Sequence, residues 1–367
     1  MNKPTLLIVG AFSVKNRSIY GGILKSCNII LESKIAKNFK IIKLNSAQIS
    51  HPPPGILTRS FNAFIRIFKF FIKMIYYKPH FVLIFSSDGA SAIEKGFMVF
   101  ICYFTKAKSF IFPRAGNLIS QTNKLPLMHI LIKFLFSKAT VFLCQSNIWR
   151  NFAIEKIGFK TSKISIINNW TATDKLLKIG ENKKFNSDQL KILFVGWIEE
   201  SKGVKELLMA FKRLSAEHSN LNLTFVGNGS YFYEAKDFVR KNNLHRIVNF
   251  VGWADGAQLE KYYQDNDIFV LPSMAEGMPN ALIEAMAARL AVITSAVGSI
   301  PDFINNEENG MLVDRRNSET LYNAVNKVIK DNDLRNYISL NGHNTAKEKF
   351  SSKVSLEKLS DIIENTK

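Results

Sequence analysis

The chain has 367 residues, too many for one ordinary hydrophobic core and comfortable for two. Its 47% hydrophobic content excludes a disordered chain, and its three cysteines, Cys27, Cys102 and Cys144, stand at no metal or disulfide spacing and read as buried thiols of a reducing compartment. The net charge of +19 is divided unevenly: residues 1–170 hold 24 Lys and Arg against four carboxylates (Glu32, Asp88, Glu94, Glu155), and the remainder hold 25 against 26. A half this basic attracts anionic partners such as lipid headgroups, phosphates or nucleic acid.

The opening "MNKPTLLIVGAF" has a short apolar run with no cleavable small-residue site after it, so a first strand is expected rather than a signal peptide. The longest apolar run, "GFMVFICYF" (96–104), is half of the roughly 18 residues that a spanning helix needs. Strands are expected at "TLLIVGAF" (5–12), "FKIIKLN" (39–45), "HFVLIFSS" (80–87), "AKSFIF" (107–112) and "ATVFLCQS" (139–146), with helical patterns between them. That alternation implies βαβ units and a parallel sheet.

Between the second and third of these runs lies "RSFNAFIRIFKFFIKMIYYK" (59–78). Arg66, Lys69 and Lys73 fall on one helical face, and Phe61, Phe64, Ile65, Phe68, Phe71, Ile72 and Ile75 fill much of the rest. Such a helix lies on an anionic membrane surface, or packs half-buried on the sheet with snorkelling cations; the two are compatible.

A polar stretch, "NNWTATDKLLKIGENKKFNSDQL" (168–190), breaks the series. The strand pattern then resumes at "KILFVG" (191–196), "LNLTFVG" (221–227), "VNFVGW" (248–253), "DIFVLPS" (267–273) and "LAVITSA" (290–296). The expected organisation is a basic first domain at 1–170, a linker at 171–190, a second domain at 191–349 and a C-terminal helix at 350–367. In that last helix Ser351 or Ser352 is the cap, and Val354, Leu356, Leu359 and Ile362 or Ile363 form the apolar face. The expected fold is α/β: two doubly wound, Rossmann-like domains facing an interdomain cleft, with ligands at the carboxyl ends of the strands.

The segment "EGMPNALIEAM" (276–286) carries two carboxylates around a helix start. Pro279 suits the first helical position, so the amides of Asn280, Ala281 and Leu282 face the strand end and form an anion site with the helix dipole. Glu276 lies in the entry loop and Glu284 about one turn into the helix. One carboxylate near a phosphate seat and one deeper fit a nucleotide sugar; a lone Glu284 would be only a dipole-favoured helix residue. Two further strand ends agree. Gly196 and Trp197 are followed by Lys202-Gly203 at a loop–helix junction, a compact charge for a diphosphate. Gly227 opens a glycine turn where backbone approaches a ligand.

Together these blocks resemble the retaining glycosyltransferases of family 4, which have the GT-B fold. The family's G-R-x-x-x-x-K-G block is similar to residues 196–203, its P-S-x-x-E-G-x-x-x-x-x-x-E-A-M-A block to 272–287, and its later glycine loop with N-G-x-L-V to 292–313. The resemblance covers the second half of the chain, and it implies an acceptor-binding domain at 1–170, a nucleotide-sugar-binding domain at 191–349 and a helix at 350–367 that crosses back to the first domain. It implies that Lys202 contacts the donor diphosphate, Glu276 the transferring sugar and Glu284 the ribose. The backbone of Gly196, Trp197, Gly227, Gly277, Met278, Pro279, Asn280 and Ala281 would line the donor site. The chain departs from the family at Trp197 (arginine there), Arg289 and Ser299 (glycines) and Asp302 (commonly glutamate). In the first half, "SIYGGILKSCNIILES" (18–33) is similar to the family's G-G loop, so Gly21 and Gly22 would approach the diphosphate. "FIFPRAGNL" (110–118) stands where the family often has a catalytic-centre histidine; Arg114 or Asn117 would line that spot, with Arg114 otherwise a surface charge.

The resemblance further implies transfer with retention by a front-face route, of hexosyltransferase type, without metal or cofactor. The implied partners are a nucleoside-diphosphate sugar, a glycan or lipid-linked glycan acceptor of a bacterial surface polysaccharide, and an anionic membrane surface, at the cytoplasmic face of the inner membrane. The D-N-D of 265–267 runs from a helix end into a buried strand, so Asp267 caps or terminates there rather than binding a metal. A nucleotide-sugar epimerase on the same fold would want acid and base groups in both domains, which the acid-poor first half lacks. No recognition motif supports nucleic-acid binding.

Overall fold

The computed structural model describes residues 3–13, 21–47, 54–185 and 189–366. Residues 18–20 of the G-G stretch and 186–188 of the expected linker lie outside the described residues. The chain divides into two compact units, Met1–Trp170 with Ser352–Lys367, and Thr171–Ser351.

In the first unit the order is β1 (Thr5–Gly10), α1 (Gly22–Glu32), α2 (Lys34–Asn38), β2 (Lys40–Asn45), α3 (Ile56–Tyr77), β3 (Phe81–Ser86) and α4 (Gly89–Thr105). It continues with β4 (Lys108–Pro113), α5 (Asn117–Lys124), α6 (Pro126–Phe136), β5 (Val141–Cys144), α7 (Asn147–Phe152) and β6 (Ile164–Ile166). The six strands are all parallel, in the order β2-β1-β3-β4-β5-β6. Strands such as "FVLIFS" are buried on both faces, which is why they read as continuous apolar runs. One face packs α3, α4 and α6 through Phe70, Met98, Cys102 and Leu135. The other packs α1 and α2, through Cys27, Ile30 and Ile35, together with a last helix formed by 352–365.

The second unit runs α8 (Asp174–Glu181), β7 (Leu190–Val195), α9 (Val204–Glu217), β8 (Leu221–Val226), α10 (Phe232–Lys241), β9 (Val248–Phe250) and α11 (Gly256–Asp265). Then come β10 (Ile268–Leu271), α12 (Asn280–Ala287), β11 (Ala291–Ser295), β12 (Met311–Val313), α13 (Ser318–Lys330), α14 (Asn332–Lys349) and α15 (Ser352–Asn365), the last belonging to the first unit. Its sheet is also wholly parallel, in the order β12-β11-β10-β7-β8-β9.

Four details differ from the sequence reading. The edge strands β6 and β12 have three residues each, too short to show a period. The stretch 171–190 is not connector alone: Thr173 caps α8, whose Leu176 and Leu177 enter the core of the second unit. Leu356, Leu359 and Ile363 are the core face of α15, whereas Val354 is exposed. Arg66 does not share an outer face with Lys69 and Lys73; its guanidinium grips both oxygens of buried Glu94 at 2.8 and 2.7 Å. Glu94 also meets buried Lys95 at 3.2 Å, and burial pushes the Lys95 pKa down. A bidentate pair of this kind holds α3 on α4.

All three cysteines are free and buried, and burial pushes the Cys27 and Cys144 thiols up to about 12. They are unreactive packing residues.

The α8–α12 contact depends on Gly180, where an added Cβ would overlap the Ala287 carbonyl oxygen and the His343 ring. Gly180→Ala is therefore expected to destabilise the protein by about 1–3 kcal/mol, despite the better helix propensity of alanine, through overpacking against backbone. A urea unfolding midpoint measures it; an unchanged midpoint would mean that α8 is not held on α12.

Candidate active site

The carboxyl edge of the second sheet is where the loops after β7, β8, β10 and β11 meet. They meet through glycines. A Cβ on Gly203 (φ +71) would overlap the Pro272 carbonyl oxygen, one on Gly227 (φ +142) that of Gly196, and one on Gly298 (φ +58) that of Glu276. All three also hold backbone conformations that side chains resist. The close approach of Gly227 is thus to Gly196, inside the protein, and need not be to a ligand. Backbone hydrogen bonds complete the join: Met274 N–H donates to Ser201 O at 2.9 Å, and Ser299 N–H to Gly277 O at 2.9 Å.

That packing brings two predicted residues together across 74 positions of sequence. Lys202, at the end of a 3-10 turn (Glu200–Lys202), places its ammonium 2.7 Å from Glu276 Oε1. Ser273 Oγ–H donates to the same oxygen at 2.8 Å. Oε2 of Glu276 has no partner among the described residues. Both side chains are partly exposed, at 22% for Lys202 and 10% for Glu276, so the pair is fixed and still reachable. Gly277 follows Glu276, and Met278 is buried behind it. Pro279 is the N-cap of α12 (φ −72, ψ 124) and the helix starts at Asn280, one place later than its sequence suggested. The first-turn amides, Ala281 among them, have no acceptor within the helix by the geometry of any helix start, and carry its positive dipole end.

Glu284 lies elsewhere. Only 2% exposed, it accepts a hydrogen bond from Tyr263 Oη at 3.0 Å, and Tyr263 is itself fully buried on α11. Burial and then the facing carboxylate push the Tyr263 pKa well up, so the phenol stays a donor. Trp197 pairs with Trp253, ring centroids 5.5 Å apart. Asp267 accepts from the Lys191 amide through Oδ2 at 3.0 Å, tying β10 to β7. Among the described residues no group of three or more His, Cys, Asp or Glu side chains is placed to hold a metal ion.

The first unit holds the other predicted residues. Gly21 (φ +130) is the N-cap of α1, which Gly22 begins, and a Cβ there would meet open space, so its backbone angle is what requires glycine. Arg114 follows β4 and is no surface charge. Nη2 donates to Ser26 Oγ on α1 at 3.1 Å, and the guanidinium lies 4.9 Å from the Phe112 ring centre and 5.1 Å from that of Trp170. Its Nη1 is buried with no hydrogen-bond partner among the described residues. Burial lowers its pKa from the usual arginine value, yet a guanidinium stays charged at neutral pH. Asn117 opens α5 and is exposed.

Ser273, Tyr263 and Gly298 were missed as functional candidates. Ser273 stood inside a quoted motif without a role, and Tyr263 is 21 residues from Glu284 with no local signal.

The glycosyl transferases group 1 family model matches residues 178–345, most of the second unit. An uncharacterized glycosyltransferase of Methanocaldococcus jannaschii is 32% identical over 164 residues, 45% of this chain and 42% of that protein. The capsular polysaccharide biosynthesis glycosyltransferase CapM of Staphylococcus aureus is 28% identical over 220 residues, 59% of this chain and 57% of CapM. The chain thus spans about half the length of these curated relatives. Among solved structures, HepE of Anabaena in complex with UDP-glucose superposes with a TM-score of 0.73 at 13% identity, covering 98% of this chain and 99% of HepE. Two six-stranded parallel sheets of this topology are the GT-B fold. Residues 178–345, nearly all of the second unit, form a glycosyl transferases group 1 domain.

The resemblance implies glycine at the positions of Arg289 and Ser299, and the structure separates the two. Arg289 adopts φ +60, where glycine would be unstrained. Ser299 has φ −85, an ordinary conformation. Gly298→Ala is therefore expected to cost about 1–3 kcal/mol by driving the Glu276 carbonyl away, whereas Ser299→Gly costs at most about 1 kcal/mol from backbone freedom. Equal unfolding midpoints for the two variants would contradict this account of the loop.

Proposed function

We propose that the chain is a retaining glycosyltransferase that moves a hexosyl group from a nucleoside-diphosphate donor to a glycan acceptor in bacterial surface-polysaccharide synthesis. The observation that carries this reading is the fixed Lys202–Glu276 pair beside the N-terminus of α12, on a glycosyl transferases group 1 domain. The UDP-glucose bound by HepE supports a UDP-sugar donor, and the name of CapM supports a polysaccharide product.

In this reading the diphosphate lies against the α12 amides with Lys202 close by, and Glu276 takes hydroxyls of the sugar through Oε2. The acceptor hydroxyl oxygen forms the new bond to the anomeric carbon on the face from which the diphosphate departs. The bond from that carbon to the β-phosphate oxygen breaks, and the leaving diphosphate takes the hydroxyl proton. Lys202 and the helix amides stabilise charge that grows on the departing oxygens, so they act in the transition state more than in the ground state. Ser273 positions Glu276. Glu284 takes the ribose diol by exchanging its hydrogen bond with Tyr263. Arg114, a half-buried cation, and the backbone at Gly21 and Gly22, at the start of α1, are the first unit's candidate ligand-binding groups. The acceptor is lipid-linked and presented at the cytoplasmic face of a membrane; among the described residues no helix is long and apolar enough to cross one.

Lys202→Ala should reduce turnover with a UDP-sugar by roughly tenfold to hundredfold, the worth of a charge-assisted hydrogen bond of about 1.5–3 kcal/mol. An unchanged rate and donor affinity in a panel of UDP-, GDP- and ADP-sugars would remove Lys202 from the site.

Glu276→Ala and Glu284→Ala should differ. The first depresses kcat, because the sugar changes in the reaction; the second chiefly raises the donor KM, because the ribose does not. Steady-state kinetics on both variants separates the roles, and identical profiles would reject them.

A further inference from the structure

We infer that the outer surface of the α3–α4–α6 layer, and not α3 alone, docks the chain on an anionic lipid leaflet. This deepens the lipid-linked acceptor reading by naming the surface that meets the lipid.

The first observation is what these helices bury. Of the 22 residues of α3 only Phe70 and Met74 are fully buried, so a helix about 33 Å long rests on the fold by a narrow strip. Its outer residues are large and apolar: Phe64 is 68% exposed. The neighbours continue this surface. Helix α4 packs against α3 on one side and α6 on the other. It exposes Phe104 to 68%, and α6 exposes Ile130 to 65%. Monomeric soluble proteins rarely leave so large a contiguous apolar face uncovered.

The second observation is the charge. Residues 56–138 contain 12 Lys and Arg and two carboxylates, Asp88 and Glu94. Asp88 is the N-cap of α4, at the strand end, and Glu94 is buried against Arg66. The outward faces of α3, α4 and α6 therefore carry no exposed carboxylate. A surface built only for solubility mixes the two signs.

The third is where the cations sit. Lys73 Nζ lies 5.4 Å from the Tyr77 ring centre, and Lys138 Nζ lies 5.5 Å from that of Tyr103 and 5.6 Å from that of Phe134. Ammonium groups held beside aromatic rings at an apolar face are the arrangement by which a helix sinks its rings among acyl chains while its lysines reach the headgroups. The lipid leaflet is the occupant that matches both the extended apolar area and the single sign of charge.

Arg66 takes no part, being committed to Glu94, so the test leaves it intact. The experiment is co-sedimentation of the full chain with vesicles of pure phosphatidylcholine and of phosphatidylcholine with phosphatidylglycerol, at low and high salt. The expected result is binding to the anionic vesicles that weakens with salt. The triple change Lys69→Gln, Lys73→Gln and Lys138→Gln should cut that binding roughly tenfold to hundredfold. Phe64→Ser with Phe104→Ser and Ile130→Ser should weaken binding at every salt concentration. Circular dichroism and the thermal midpoint check that each variant stays folded, and binding of the unchanged chain to the two vesicle types is itself decisive. Equal binding to neutral and anionic vesicles, no binding to either, or unchanged binding by both folded variants would overturn the inference. So would concentration-dependent dimerisation that the serine variants abolish, which would make a second copy the occupant. None of these readouts involves sugar transfer, so failure here leaves the catalytic reading standing.

Discussion

Three glycines hold the second unit's candidate site together. Gly203, Gly227 and Gly298 each let one strand-exit loop press backbone to backbone on another, and each carries a positive φ. Contact at that range sets the loop spacing without relying on side-chain rotamers. Lys202 and Glu276 are therefore held by the sheet itself: one loop leaves β7, the other leaves β10, and these two strands are paired in register. The ion pair is a consequence of this packing and not its cause. A single, partly exposed lysine–carboxylate contact has little energy with which to hold two loops.

Most of the fold was legible because the strands are buried on both faces and therefore read as unbroken apolar runs between amphipathic helices. β6 and β12, of three residues each, were not read, whereas β9, as short and also at an edge, was, so length alone does not decide which short strands are legible. Lys202 and Glu276 were legible because their loops keep a motif spacing. The surroundings of Glu284 were not: the helix position was right, but the burial depends on Tyr263 from α11, brought in by tertiary packing alone. Arg66 was misread for a related reason. Helical spacing set it with Lys69 and Lys73, yet the first half has only four carboxylates, and an isolated Glu94 on the next amphipathic helix was a signal that some nearby cation would turn inward.

The two units divide the electrostatic work. The first holds nearly the whole net positive charge and spends few of its cations on internal pairs, since it has few acids to pair them with. The second is close to neutral and uses its charge locally, in Lys202 with Glu276, Arg213 with Glu319 and Lys347 with Glu181. Arg114 is the exception in the first unit: a cation set among aromatic rings and retained despite an unpartnered nitrogen. Burying such a group without full compensation costs stability, which is reason to regard it as a functional group rather than a packing residue.

The placement of α15 bears on synthesis. The helix is translated after the strands of both units, yet Leu356, Leu359 and Ile363 complete a core begun by Cys27, Ile30 and Ile35 more than 300 residues earlier, and Lys34 pairs with Glu357. On the ribosome the first unit emerges with one face of its sheet only partly covered. The second unit, contiguous from 171 to 351, emerges next and has all its strands before α15 appears. The first unit thus waits for a helix made after the whole second unit, and during that interval its uncovered apolar face is exposed to chaperones and to misassociation.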